Sequence, residues 1–426
     1  IPAKNKDSID ERGFVHINTP LLRKFFKDYL SYLDYLVRTG IFICDGHYIP
    51  GRISRGFKFA PQYEKTRLIK YTYSTVQQGE QIEAIPPEIY DEETQQNIPN
   101  PLLNFRYLSH WYEQKLLHID EEKASKYAYI IMQEKFRSGI TSWDINRDKS
   151  RGKYIRRKYP KSQYNAIMHN ISSIALGDYN VKIDSNVHRL HSAITNMQKD
   201  YRKFLTYDGK PLINIDIANS QPYLLCLLLH PLFWDKKSNI HLNIGMLPQN
   251  TQDKFSDVHL IEIMEYVSAL DYNTDTTLSS YIQTASQGHI YEYMMELINN
   301  TQHINLERND IKVMILTTLF SKNRYMPLYK KYFRQSFPQI YGLINLVKRN
   351  DHSALASLLQ NIESEIILHR CCRRIWEEGH HQVPVFTIHD SICTTIDNEE
   401  FVKKIMLEVL TDNIGIIPNI KIETIN

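Results

Sequence analysis

Cysteine is scarce in this chain: Cys44, Cys226, Cys371, Cys372 and Cys393 are all it has among 426 residues. No CxxC pair exists and Cys371 and Cys372 are adjacent, so a disulfide framework and the usual zinc-ligand spacings are excluded. A reduced, cytoplasmic protein is the simplest expectation. Long apolar runs are missing too. The longest, around Tyr223–Leu229, falls far short of a bilayer span and no signal peptide is evident, so no membrane partner is expected. Net charge amounts to only +3. Overall basicity therefore cannot attract a polyanion, and a nucleic-acid grip would need locally concentrated charge. Internal repeats and low-complexity tracts are absent as well, which leaves an ordinary globular chain, long enough for two or three domains.

What is present is a change of texture along the chain. Residues before about 180 read as mostly helical, with apolar positions at helical spacing over Leu21–Arg38. Asp45–Tyr63 reads as a loop or short hairpin, and residues 80–101, with four prolines, as a linker or surface excursion. Residues 135–161 are strongly basic, with Arg156, Arg157 and Lys158 consecutive and Trp143, Tyr154 and Tyr159 interleaved. Such a run suits a solvated face, and equally a groove that tracks phosphates and stacks bases. Further on, Leu212–Ile217 is a β-branched strand after an Asp208-Gly209 turn, and Val383–Ile396 a hairpin with His389, Asp390 and Ser391 at its tip. Glu307–Phe320 and Ser353–Glu377 have the character of helices.

Two aspartates stand where acid is costly unless used. Asp216 closes an apolar strand, and Asp390 sits on an apolar hairpin. Nucleotidyl transfer from a nucleoside triphosphate uses two divalent cations about 3.5–4 Å apart, bridged by carboxylates, and rigid strands suit that precision. Arg308 and Lys312 lie one helical turn apart and can clamp a triphosphate, with Phe320 two turns on to meet a base. Taken singly, each feature also fits a plain structural role: a turn residue, a hairpin tip, a basic face beside a buried Phe.

Their order changes the balance. Strand-Asp, then Arg-x-x-x-Lys helix, then His-Asp hairpin resembles motifs A, B and C of family A DNA polymerases and of the related phage-type single-subunit RNA polymerases. His188-Arg189-Leu190-His191-Ser192, then Asn196-Met197-Gln198 and Tyr201-Arg202-Lys203-Phe204, is similar to the segments that precede motif A there. Tyr332-Phe333 with Pro338, and Leu359-Gln360-Asn361, resemble segments after motif B and before motif C. The likeness runs over roughly residues 185–396, about half the chain.

The resemblance implies an α+β right-hand polymerase with an antiparallel-sheet palm and helical fingers and thumb. It implies residues 1–180 as N-terminal region and thumb, 181–225 as first part of the palm, 226–350 as fingers and 351–426 as second part of the palm. It implies two Mg²⁺ ions (Mn²⁺ the alternative) held by Asp216, Asp390 and the Ile217 carbonyl, and triphosphate and base contacts from Arg308, Lys312 and Phe320. Arg189, Gln360 and His389 would touch primer–template, with Arg156, Arg157 and Lys158 gripping the duplex. The partners expected are a primer–template and dNTPs.

Departures qualify this. No Glu follows Asp216 in Ile217-Ala218-Asn219-Ser220-Gln221, where the DNA branch uses one against the ribose 2′-hydroxyl; Gln221 takes that position. His389-Asp390-Ser391 matches the RNA branch. DNA synthesis without a proofreading exonuclease is the leading expectation, an RNA-synthesising polymerase or primase the alternative, and a non-catalytic replication protein the rival from another class.

Overall fold

A computed structural model of the chain describes residues 12–16, 29–46, 55–63, 87–91, 96–138, 142–143, 157–158, 160–184, 188–240 and 242–425. The chain divides into two compact units. One comprises Ile1–Ile82, His118–Tyr179 and Asn196–Phe204; the other comprises Glu83–Leu117, Asn180–Thr195 and Leu205–Asn426.

In the first unit, helices Glu121–Ser138 and Pro160–Ala175 pack together, with the Lys135 ammonium donating to Gln163 at 2.6 Å and Tyr129 edge-on to Tyr164. Glu121 and Glu122 open the first of these helices and Lys135 and Arg137 close it, the charge order the helix dipole favours. The described part of the expected Leu21–Arg38 helix is Tyr29–Arg38, and Phe42–Cys44 pairs antiparallel with Gly56–Phe59, a short hairpin as the alternating aromatics suggest. From the basic run, Ser142–Trp143 pairs with Arg157–Lys158; Arg156 lies outside the described residues.

The second unit is a mixed helix and antiparallel-sheet structure. The elements that matter for the site are β1 (Leu205–Tyr207), β2 (Lys210–Ile217), α1 (Ser220–Leu225), α2 (Ile290–Gln302), α3 (Arg308–Phe320), α4 (Ala354–Ser364), β3 (Phe386–Ile388), β4 (Ser391–Thr395) and β5 (Ile420–Thr424). β2 is central: it runs antiparallel to β4 on one side and β5 on the other, and β1 joins it through the Asp208-Gly209 turn. Strand alternation puts Ile213, Ile215 and Ile217 on one face, each at most 2% exposed. Asn214 and Asp216 fall on the other.

Two expectations need refining. Of the linker or surface excursion expected over residues 80–101, residues 88–91 and 96–99 form a paired hairpin, which sets aside the linker alternative, fastened by the Asn100 N–H donating to the Pro87 carbonyl at 2.8 Å. The helix from Ser353 is not uniform: α4 passes into a π-helical stretch, Glu365–Cys371, before Cys372–Glu378 resumes the α form. Wider turns of this kind displace side chains from the regular face and occur often at functional sites.

α3 carries no basic residue in its last turn. Its free carbonyls are met from outside instead. The Lys348 ammonium donates to the Thr318 and Ser321 carbonyls at 2.7 and 3.0 Å, and Lys330 to the Lys322 and Tyr325 carbonyls and the Ser321 hydroxyl. Both lysines are buried. Burial, helped by the neighbouring Lys330 charge, pulls Lys348 down from 10.5 to about 7. Between those values the unfolded chain binds the proton and the folded chain sheds it, so this residue makes stability rise with pH from 7 upward. Urea midpoints should therefore climb between pH 7 and 9.5 in the wild type and climb less in Lys348→Met; parallel profiles would show that Lys348 stays charged.

Candidate active site

β2 brings Asp216 to the end of the sheet. Its pairing partner on β4 is Ser391, and on β5 Lys421. Asp390 is the residue just before Ser391, in the two-residue turn between β3 and β4. Facing positions of adjacent strands are roughly 5 Å apart at Cβ, so the hairpin delivers Asp390 to the neighbourhood of Asp216 although the sequence separates them widely. His389 makes the turn at φ +58°, the left-handed region, and the Ser391 hydroxyl closes it by donating to Ile388 and Asn214 at 2.8 Å each.

The electrostatics follow from this crowding. Asp216 is pushed up from 3.8 to about 7, first by burial, then by the charges of Asp390 and Glu423, while the Ile217 N–H and Lys421 pull weakly the other way. Its Oδ1 is buried without a hydrogen-bond partner among the described residues. Among the described residues no three His, Cys, Asp or Glu side chains converge on one point. Mg²⁺ commonly takes one or two protein carboxylates, with water and phosphate oxygens as its other ligands. Asp216 and Asp390 would hold it.

A strained strand end needs a firm base. The Ala218 N–H donates to the Asn419 carbonyl and the Asn419 N–H to Ser286, at 2.9 and 2.8 Å. Gly288 lies so close that an added Cβ would meet the Ala218 Cβ at 2.5 Å, and its own φ is +75°. Asn219 then takes φ +53° to turn from strand into α1, with its Nδ2 buried and unpartnered.

Around this end stand three groups from other elements. Glu363 on α4, 2% exposed, accepts from Arg189 Nη2 at 2.5 Å and from Gln221 Nε2 at 2.6 Å. Burial drives it up to about 7; Arg189 opposes that and Asp390 adds to it. Arg308, the first residue of α3, donates to Glu292 at 2.5 Å and lies over the Tyr291 ring. Tyr291 is raised to about 12 by burial, against Arg308, and Asp390 raises it further, so the Arg308 end of α3 shares the field of the aspartates.

Of the residues singled out by sequence, Asp216, Asp390, Gln221 and Arg189 are thus linked, and Arg308 joins them through Tyr291. Ile217 is buried and its side chain points away from the acidic face. Lys312 is exposed on α3 without an ion pair among the described residues, and Phe320, half-buried, ends the helix. Gln360 is half-buried; its neighbour Asn361 is the buried one, meeting His188 at 3.1 Å and donating to Thr251. Arg157 and Lys158 belong to the other unit. Glu363 and Glu423 were missed. The alternation of Ile420, Ile422 and Thr424 could have placed Glu423 on the acidic face of β5; nothing local marks Glu363.

No protein-family model matches the chain, and no curated protein matches it. Among solved structures, the POL domain of Pol1 from M. smegmatis, in complex with DNA primer-template and dNTP, is similar over 74% of this chain and 68% of its own, with a TM-score of 0.37 and 11% identity. A likeness that weak carries no argument. The site has to speak for itself.

If like charges strain the sheet end, Asp216→Asn should stabilise the protein in chelator at pH 8 by about 1–3 kcal/mol and should abolish any rise in melting temperature that Mg²⁺ gives the wild type. A variant less stable than wild type in chelator would show that the carboxylate is already satisfied.

Proposed function

We propose that the chain is a template-directed nucleotidyltransferase that adds dNTPs to a primer 3′ end, with a palm built on β2, β4 and β5, fingers that include α3, and no proofreading exonuclease. The observation that carries this reading is that β2 and the β3–β4 hairpin bring Asp216 and Asp390 to the same end of the sheet, with Asp216 Oδ1 buried and without a hydrogen-bond partner among the described residues. A non-catalytic nucleic-acid-binding protein gains nothing by turning buried carboxylates toward a polyanion. Membership of family A remains the resemblance drawn from the motifs.

Divalent ions bound there would activate the primer hydroxyl and neutralise the departing pyrophosphate. The chain's own part is to hold and orient. Asp216 sits on a central strand, and Asp390 in the tight two-residue turn that joins β3 to β4, so paired backbone flanks both. Lys312, exposed one turn beyond Arg308, is available to phosphate oxygens, and Arg308 would reach them by leaving Glu292. Arg189 and His389 are the candidates for primer–template contact at this end of the sheet, Gln360 along α4, and Phe320 for the nascent pair.

Primer extension with Mg²⁺, comparing dNTPs with NTPs, tests the reading. Asp216→Ala or Asp390→Ala should lower extension at least ~10³-fold while primer–template affinity stays within a few-fold. Extension faster with NTPs would move the assignment to an RNA-synthesising enzyme, which the His389-Asp390-Ser391 tip also suits. Activity surviving both substitutions would end the two-metal proposal.

The basic run gives a separate test. Neutralising Arg156, Arg157 and Lys158 together should weaken primer–template binding. The slope of log affinity against log salt should fall by about 0.9 for each phosphate that the protein no longer neutralises. An unchanged slope would make the run a solvated surface.

A further inference from the structure

Glu363 has both carboxylate oxygens engaged, by donors from two different parts of the chain. Arg189 comes from the segment before Leu190–His191, and Gln221 from the first turn of α1, five residues past Asp216. An ionised carboxylate only accepts hydrogen bonds. That fixes the Gln221 amide: its nitrogen must face Glu363, and its carbonyl Oε1 must face away. Among the described residues Oε1 is buried and has no partner, and neither has the Nε of Arg189. Buried polar atoms left unpaired are rare and costly. Here two occur together on the two side chains that one carboxylate orients, next to the end of β2. A ligand that offers a donor to Gln221 and an acceptor to Arg189 would satisfy both.

We propose that Glu363 is a positioning residue for sugar recognition, holding Gln221 so that its amide carbonyl accepts from the 3′-hydroxyl of the incoming nucleotide. This rests on the nucleotidyltransferase reading above. The donor has to be common to every nucleotide, whichever base the template asks for. Base amino and imino groups differ from base to base, and a triphosphate at neutral pH offers mainly acceptors. The 3′-hydroxyl is the sugar donor that all dNTPs share. The carboxylate governing the sugar would then reach the site from α4, acting through Gln221 rather than touching the nucleotide itself.

The test is single-nucleotide incorporation at pH 8, on the alkaline side of the raised Glu363 carboxyl, comparing each dNTP with its 2′,3′-dideoxy analogue. A site built to hydrogen-bond a hydroxyl rejects the analogue that lacks it, so the wild type should use ddNTPs at least ~10-fold less efficiently in kcat/KM. Glu363→Gln keeps the shape but presents an N–H to Gln221, which then turns its carbonyl inward. The preference for dNTP should shrink to within about threefold, chiefly through a higher KM for dNTP. In a Gln221→Leu background the same substitution should change nothing further. Gln221→Leu alone reads the same ratio should Glu363→Gln fold poorly. An unchanged dNTP to ddNTP ratio in an active Glu363→Gln variant, or in Gln221→Leu, overturns the inference and leaves the polymerase reading standing. A folded wild type that binds primer–template and incorporates no nucleotide overturns both.

Discussion

Keeping several carboxylates together out of water is the constraint around which the second unit is arranged. Asp390 and Glu423 bear on Asp216, Asp390 bears on Glu363 as well, and burial makes the ionised forms of Asp216 and Glu363 dearer. The fold meets that cost unevenly. Glu363 receives an arginine and an amide, so its charge is answered within the protein. Asp216 receives little beyond the Ile217 N–H and the weak pull of Lys421, its cross-strand neighbour on β5. A protein selected for stability alone would have placed an Asn there. The unanswered carboxylate stands on the best-supported strand of the sheet, paired on both sides and packed by Gly288 against its end. Strain of this kind persists only where its surroundings over-determine it.

Much of the scaffold was legible because local patterns and tertiary structure agree. The Leu212–Ile217 strand and the hairpin at His389-Asp390 read directly from β-branched runs bounded by turn residues, and β2, β3 and β4 fall there. The Glu307–Phe320 helix is α3 within a residue, its Glu307 and Asp310 forming a reciprocal cap. Composition misleads where packing overrides it. Four prolines in residues 80–101 suggest a linker, yet Ile89 and Ile98 sit opposite each other in a hairpin whose prolines lie near its ends. The π-helical turn after α4 left no trace in the sequence, since widening the helix depends on what packs against it.

The site was legible to the extent that its residues break a pattern. Asp216 and Asp390 do, one an acid on an apolar strand and the other an acid at the turn of an apolar hairpin. Glu363 does not, because on a helix written Ser357-Leu-Leu-Gln-Asn-Ile-Glu-Ser-Glu365 one more acid reads as surface. Its burial is decided by α1 packing across α4, information that sits some 140 residues away at Gln221. Lys330 and Lys348 were invisible for the same reason. Basic residues at a helix terminus are recognised when they belong to that helix; these come from later elements.

The two ends of α3 are built differently, and that difference has a functional consequence. At its C-terminal end two buried lysines are bound to carbonyls with no competing anion, contacts that burial makes costly to break. At its N-terminal end Arg308 is held by Glu292 in a pair whose members are 46% and 38% exposed. Pairs of that exposure contribute at most about 1 kcal/mol. A phosphate group carries more charge than a carboxylate and accepts the guanidinium in the same bidentate geometry, so exchange of Glu292 for a phosphate costs the protein little. The helix is therefore held more firmly at its C-terminal end than at its N-terminal end. Under the nucleotidyltransferase reading proposed above, Arg308 is the side chain that could exchange an exposed carboxylate partner for a phosphate at little cost.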